Sequence, residues 1–251
     1  MTGRWRGLVL PIVLIAAWEL GSRFGILPVD TMSRPSAAAA AGWEALGDGT
    51  LLRATLETFH TALGGLALGA AIGIALGLPI GLSPILEAVV GPTLDTIRPV
   101  PSLALLPLAL LIYGFGARME IMVVAFACTW PVLIVTISAV RGIEPRLIEV
   151  SRMLEMGRFA VMRRIVLPAV VARIGVGIRV AAGIALIVAV TVEIVLNPRG
   201  LGYGMMVASQ SLRPDLMWAD LLWVGVVGFS FDASLRWIER NGLAHYATVP
   251  Q

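Results

Sequence analysis

The chain has 251 residues, of which 58% are hydrophobic and 14% are charged, and its mean hydropathy is +0.88. A soluble domain carries about 25% charged residues, so this composition excludes an ordinary soluble protein and indicates a polytopic membrane protein. The net charge is only +3, and the basic residues lie at the edges of apolar segments, which argues against nucleic-acid binding.

The types of polar residue exclude several kinds of site. All 19 basic residues are arginine, and a chain without lysine has neither a Walker A phosphate loop nor a Schiff-base lysine. Cys128 is the sole cysteine, so no internal disulfide is possible. His60 and His245 are too few and too far apart in the sequence to predict a metal site. We therefore expect no cofactor or metal in this chain.

Six apolar segments are predicted to be membrane helices, because a bilayer span needs about 20 apolar residues. The first follows Arg4 and Arg6 and has no small-residue cleavage site, so we expect a membrane helix rather than a signal peptide. A short helix is expected in the loop after it, at residues 36–46. The segments lie at about residues 8–20, 55–82, 84–112, 119–140, 168–196 and 216–237, within one all-α membrane domain, residues 1–251.

The second segment carries a glycine at every fourth position, which lets another helix approach closely. Packing within one subunit and contact with a second copy are both open alternatives. These glycines are Gly65, Gly69, Gly73, Gly77 and Gly81.

Ionisable residues inside the apolar segments are candidates for a translocation path, because buried charges in membranes usually face a cavity or pair with one another. The third segment contains several prolines and is predicted to be bent or broken, with Asp95 and Arg98 able to pair on one face. A structural ion pair is the alternative to pore lining. The candidates are Asp95, Arg98, Arg179 and Glu193, and the glycine-rich residues 197–214 are predicted to form an external or re-entrant loop.

The arginine distribution predicts the orientation. With six spans, ten arginines fall on the side of both termini and six on the other, so the termini and the 141–167 loop are expected in the cytoplasm.

The polar interval at residues 141–167 predicts two short amphipathic helices. Pro145 suits a first helical position, and Gly157 is expected to end the first helix in a left-handed conformation. Residues three apart form a charged ridge of Arg146, Glu149, Arg152 and Glu155, and Leu147, Val150 and Leu154 form an apolar face. The interval is either a solvated connector or a docking platform for a soluble partner.

This interval resembles the cytoplasmic coupling loop, or EAA loop, of bacterial ABC importer permeases. In that loop a Glu precedes small residues and a Gly, and a hydrophobic-Leu-Pro ending follows nineteen residues after the Glu, as Leu167-Pro168 follows Glu149. The resemblance covers about residues 55–240 and is closest to the nitrate, sulfonate and taurine permeases. It includes Arg98-Pro99-Val100-Pro101, Tyr113-Gly114-Phe115-Gly116, Glu193 and Gly200-Leu201-Gly202-Tyr203.

Two departures from the family pattern fall in this loop. The family glycine position is occupied by Glu155, with Gly157 two residues later, and Val150 and Ser151 stand where two alanines are usual.

The resemblance implies a type I importer permease fold and a transport subunit of the bacterial inner membrane rather than an enzyme. It implies two permease copies, two ATPase subunits that bind ATP and Mg²⁺, and an extracytoplasmic solute-binding protein. The solute would be a small anion such as a sulfonate, taurine or nitrate, although bicarbonate, aromatic acids and thiamine precursors stay open. Coupling to the ATPase is assigned to Glu149, Val150, Ser151, Leu154, Glu155, Gly157, Leu167 and Pro168.

Two alternative functions make different demands on the sequence. A self-powered secondary transporter often shows an inverted repeat, and no convincing internal repeat is present. An intramembrane hydrolase needs a nucleophile and a base at membrane depth, and His60 has no nucleophile at a motif spacing.

Overall fold

The computed structural model describes residues 6–26, 28 and 31–242. Arg4, His245 and both chain ends lie outside the described residues, and so do the predictions made for them. Every regular element in the described ranges is helical, which confirms the predicted all-α class. The α-helices are α1 (Arg6–Arg23), α2 (Pro35–Gly47), α3 (Thr50–Leu82), α4 (Pro84–Ile97), α5 (Leu106–Tyr113), α6 (Ala117–Arg141), α7 (Pro145–Met153), α8 (Arg158–Val161), α9 (Leu167–Val195), α10 (Gly200–Gln210) and α11 (Pro214–Gly242).

The described helices agree broadly with the six predicted spans. Four stretches are long and apolar enough to cross a membrane: Thr50–Leu82, Ala117–Arg141, Phe159–Gln210 and Pro214–Glu239. The bent pair Pro84–Ile97 and Ser102–Tyr113 makes a fifth if it is one span. The remaining predicted span is α1, whose 18 residues include charged side chains at both ends and exposed apolar side chains between them.

The chain packs as two compact units. Unit 1 contains Met1–Thr58 and Glu193–Val227, and unit 2 contains Phe59–Val192 and Gly228–Gln251. Each unit therefore joins segments that are distant in the sequence.

In unit 2, the glycine ridge of α3 lies against α6 of the same chain. A Cβ built on Gly69 would lie 2.5 Å from the carbonyl oxygen of Ala125, and one built on Gly73 would lie 2.9 Å from that of Thr129. Contacts this short leave no space for any side chain, so the two backbones touch. Of the two alternatives left by the sequence, the structure shows packing within one subunit.

The third span is broken, as the prolines predict. Helix α4 and the segment Ser102–Tyr113, which is a 3₁₀ turn followed by α5, differ in direction by 82°. Pro99 and Pro101 have no backbone N–H, so they favour a break in the helix at this point. The turn that follows α5 requires Gly114 and Gly116, whose φ angles are +69° and +127°.

In unit 1, aromatic and polar contacts hold α1 to its neighbours. The rings of Trp18 and Trp218 lie 4.7 Å apart. The Ser36 N–H and hydroxyl donate to the carboxylate of Glu19, at 3.0 and 2.9 Å, and these two bonds join α1 to the start of α2.

The prediction of a loop at residues 197–214 was wrong, because residues 200–210 form α10. Glycine disfavours helices in water, but three side chains accept hydrogen bonds from the first three N–H groups of this helix. Those acceptors lie on α3 and α9, so sequence reasoning about the local glycines missed them.

The α3–α6 contact predicts different outcomes for two Gly→Ala substitutions. Gly69→Ala should lower the free energy of unfolding by about 1–3 kcal/mol, because the added methyl overpacks a backbone contact. Thermal unfolding of the purified full-length protein measures the change. Gly183→Ala in α9 is the matched control, since nothing lies within 4 Å of a Cβ built there. Equal melting temperatures for the two variants would show that the ridge is not tightly packed.

Candidate functional site

The polar interval contains one separate short helix, α7, whose start and end follow from local backbone angles and hydrogen bonds. Glu144 is extended, with φ −60° and ψ 126°, and Pro145 takes the first helical position, as predicted. At the far end, the Met156 N–H donates to the Ser151 carbonyl and the Glu155 N–H to the Arg152 carbonyl, both at 3.0 Å. This paired pattern is a Schellman motif, in which the residue after the cap is left-handed.

The left-handed residue is Glu155, not Gly157. The φ of Glu155 is +51°, whereas no positive φ occurs at Gly157. The prediction that Gly157 ends the helix was wrong, because α7 ends at Met153 and its cap therefore falls two residues earlier. The position where the importer family has glycine is thus a position where this chain holds a glutamate in a conformation that favours glycine. For the same reason the charged ridge does not include Glu155, which lies beyond the helix.

Helix α7 has one face against the protein and another in the open. Ser151 is 2% exposed, and its hydroxyl donates to the Ile148 carbonyl at 2.7 Å. The side chains of Leu147, Val150, Met153 and Leu154 are exposed, Met153 by 83%. The exposed ridge residues Arg146, Glu149 and Arg152 lie beside them. We name the exposed surface formed by Leu147, Glu149, Val150, Met153 and Leu154 the α7 face.

Residues on both sides of α7 are buried in a cluster where α6 ends and α9 begins. Val140 of α6, Val166 before α9, and Val170 and Ile174 of α9 are buried together, and Leu78 of α3 packs against them. Ile143, Val161 and Met162, which flank the loop, join the same cluster. The loop is therefore anchored to the ends of α3, α6 and α9.

The second predicted short helix is continuous with the fifth span. Residues 158–161 form α8, and Met162–Val166 form a π-helical turn that leads directly into α9. Pro168 lies in the first turn of α9 and lacks an N–H, and a π-helical turn is a common response to such an interruption. Leu167 is exposed by 42% beside it.

Comparisons with known proteins support a transport role. Residues 67–241 match the family model "Binding-protein-dependent transport system inner membrane component". The chain belongs to this family. It is 32% identical to the putative aliphatic sulfonates transport permease protein SsuC of Bacillus subtilis (strain 168) over 95% of this chain and 87% of that protein. It is 29% identical to SsuC of Escherichia coli (strain K12), over 92% of this chain and 88% of that protein.

A solved structure shows the same fold. A chain of the MetNI methionine ABC transporter, described as inward facing, superposes with a TM-score of 0.55 at 18% identity. The superposition covers 72% of this chain and 94% of that chain. The protein is therefore a multi-pass inner membrane transport component with a type I importer permease fold, and not an enzyme.

Two of the candidate path residues of this permease border the same cavity in unit 2. Asp95 and Arg98 line a cavity of about 120 Å³ together with Trp130 and Ile134. Among the described residues, no ion pair joins Asp95 to Arg98, so the structure does not show the predicted pairing. Arg98, Trp130 and Ile134 also line a second cavity of about 370 Å³, with Val100, Ser102, Phe126, Ala127, Pro131 and Ile184.

Arg179 is engaged in ion pairs within unit 2. Its guanidinium lies 3.0 Å from the Glu239 carboxylate and 3.5 Å from that of Asp232. This arrangement corresponds to the structural alternative left open by the sequence. Its role in the translocation path stays a prediction.

In unit 1, Glu193 is buried at the N-terminus of α10. Its side chain is 1% exposed, and Oε2 accepts from the Gly202 N–H at 2.9 Å. The Gly200 N–H donates to Glu57 and the Leu201 N–H to Thr58, at 3.1 and 3.0 Å. A carboxylate at this position also opposes the positive end of the helix dipole. These contacts favour a structural role for Glu193, and its path role stays a prediction.

The sequence reasoning identified Glu193 but missed Glu57 and Thr58. The available signal was a Glu-Thr pair within the apolar second span, where polar side chains need partners. Their partner is the backbone of α10, 143 residues away, and nothing in local spacing indicates that pairing.

The cap of α7 predicts that this chain improves when its glutamate is replaced by the family residue. Glu155→Gly should raise the local opening free energy of residues 150–156 by about 1 kcal/mol, because glycine adopts positive φ without steric cost. Hydrogen exchange of the full chain in lipid nanodiscs measures this. Gly157→Ala is the control and should change little, and a loss of protection in Glu155→Gly would contradict the cap assignment.

The N-terminus of α10 predicts a strict need for glycine at position 200. Gly200 has φ +87°, and a Cβ there would collide with the Glu193 carboxylate. Gly200→Ala should lower the free energy of unfolding by about 2–4 kcal/mol through strain and overpacking. Gly225→Ala is the control, since a Cβ at position 225 meets nothing within 4 Å. Similar thermal stability of both variants would refute the assignment.

Proposed function

We propose that this chain is the permease subunit of an ATP-driven ABC importer for small organic sulfonates or related anions. Two copies would form the translocation path, two ATPase subunits would bind ATP and Mg²⁺ on the cytoplasmic side, and an extracytoplasmic binding protein would deliver the solute. Both chain ends would be cytoplasmic. The observation that carries this proposal is the α7 face, an exposed apolar and charged surface on a helix whose flanking residues are buried.

The chemistry of the α7 face suits a soluble protein partner better than solvent alone. Met153 and Leu154 are exposed by 83% and 67%, and Phe159 nearby by 79%. Apolar side chains grouped on a solvent-facing helix mark interaction sites. Glu149 beside them supplies a charge that fixes the register of docking. An ATPase with a complementary groove would cover both kinds of group.

The base of the loop supports a mechanical role. Because Val140 and Val170 are buried together with residues that flank the loop, a force on α7 reaches the ends of α6 and α9. Closure of the two ATPases would move both α7 helices and rock the membrane helices between inward- and outward-facing states. ATP would shift this equilibrium only in so far as the closed ATPase dimer binds one state better.

The proposed solute class is supported by the relatives, which are described as sulfonate permeases. The lining of the 370 Å³ cavity, with Arg98 as its one charged side chain, agrees with an anionic solute. A self-powered secondary transporter explains neither the family match nor the exposed α7 face.

The docking proposal predicts that Glu149→Arg inserts in the membrane normally but loses its ATPase. Like charges brought together at an interface cost several kcal/mol, so co-purified ATPase should fall by at least about 10-fold. Co-purification with the ATPase from detergent-solubilised membranes measures binding, and solute-stimulated ATP hydrolysis in proteoliposomes measures coupling.

Glu44→Arg is the matched control, because it makes the same charge reversal on an exposed residue of α2 in unit 1. It should leave both readouts unchanged. Full ATPase binding and full transport by Glu149→Arg would exclude this helix as the coupling element. Uptake of sulfonates driven by an ion gradient without ATP would refute the importer assignment itself.

A further inference from the structure

The 370 Å³ cavity of unit 2 is lined mostly by uncharged side chains. Arg98 is its one charged side chain, and no carboxylate lines it. Ser102 adds a hydroxyl and Trp130 an indole, while Phe126, Ile134 and Ile184 are apolar. A lining with one cation, neutral hydrogen-bond donors and apolar walls fits a molecule with an anionic head and an apolar body.

The cation in this lining is available for a ligand. Arg98 is exposed, and within the described part of the chain it forms no ion pair. Four other arginines of unit 2 each pair with a carboxylate, namely Arg141, Arg146, Arg179 and Arg236. A guanidinium offers several N–H donors in a planar fork that matches the oxygens of a sulfonate or carboxylate.

The backbone around Arg98 explains why the side chain stands at a cavity. Arg98 is the C-cap residue of α4 and the first residue of the break, across which the chain direction changes by 82°. Irregular backbone at membrane depth is tolerated where it lines a cavity, and Pro99, which has no backbone N–H, favours a break at this point.

Two aromatic rings form another part of the lining, and one of them has an N–H donor without an acceptor. Phe126 and Trp130 pack edge to face with centroids 5.5 Å apart. The Trp130 indole N–H is enclosed and has no hydrogen-bond acceptor among the described residues. Buried donors normally have acceptors, so an anion seated beside Arg98 is a candidate acceptor for this N–H.

We propose that this cavity is a binding station for the cargo, in which Arg98 holds the anionic head and the Phe126–Trp130 wall holds the apolar body. The station deepens the importer function and rests on it. Binding must be weak, because a transported molecule has to leave as readily as it enters. Binding at this station lets the permease itself favour organic anions, in addition to the selection made by a binding protein.

Direct binding of 1-hexanesulfonate to the full-length permease in lipid nanodiscs, followed by calorimetry, tests this station without the ATPase or the binding protein. Wild type should bind saturably. Arg98→Gln should weaken binding by at least about 10-fold, because a charged hydrogen-bond partner is lost, and Arg98→Lys should recover part of it. Arg118→Gln, the same change at an exposed residue in the first turn of α6, should bind as wild type.

A second variant keeps the test decisive if Arg98→Gln does not fold. Ser102→Asp places a negative charge in the lining and should abolish binding, whereas the neutral Ser102→Asn should retain it. Hexyltrimethylammonium, with the same tail and the opposite charge, should not compete.

Equal binding by wild type and Ser102→Asp, effective competition by the cation, or no saturable binding up to the solubility limit would overturn the station. Sulfonate transport by the assembled importer would still stand in that case. Conversely, saturable binding together with failed sulfonate transport would contradict the proposed function and leave the anion site intact.

Discussion

The contact between α3 and α6 is the constraint on which the rest of unit 2 depends. Five glycines on α3 bring its backbone against α6, where even a methyl group would collide. The contact continues to Gly81 opposite Val140, and Val140 belongs to the buried cluster that the residues flanking α7 join. The α3–α6 contact therefore fixes where α6 ends, and the end of α6 fixes where α7 begins. A packing interaction between two apolar helices thus helps to position the exposed surface of α7.

This arrangement meets a requirement of the proposed coupling through the α7 face. An exposed helix on a flexible tether would dock without moving anything. Here Ser151 is buried on the inner side of α7, and the residues on either side of the loop enter the cluster with Val166 and Val170. The π-helical turn at Met162–Val166 makes the loop continuous with α9. In the proposed mechanism, a push on α7 would therefore reach α6 and α9 at once.

Much of the fold could be predicted from the sequence, because a bilayer imposes a strong length and polarity rule. The long apolar segments located α3, α6, α9 and α11 within a few residues, and the prolines predicted the break after α4. The wrong prediction for residues 197–214 concerned residues whose hydrogen-bond partners are distant in the sequence. The helix α10 forms because Glu57, Thr58 and Glu193 accept its first N–H groups, and local glycines hide that. The left-handed residue after α7 is Glu155 rather than the predicted Gly157, because the helix already ends at Met153.

The sequence alone could not decide what the polar and small residues in the spans do. Glycine spacing is the same for intra-subunit and inter-subunit packing, and only the position of α6 separates the two. Arg179 and Arg98 look alike in the sequence, yet Arg179 pairs with Asp232 and Glu239, while Arg98 forms no ion pair among the described residues and borders two cavities. Such differences arise from tertiary neighbours, which spacing within one helix does not encode.

Photo-crosslinking from α7 in native membranes tests the central claim most directly. A photoreactive amino acid at Met153, whose side chain is 83% exposed, should give one dominant adduct with the ATPase subunit. The same group at Leu111 of α5, 84% exposed on an apolar segment, should give no ATPase adduct. Adducts from position 153 that contain only lipid or a second copy of this chain would contradict the claim that α7 couples the permease to its ATPase.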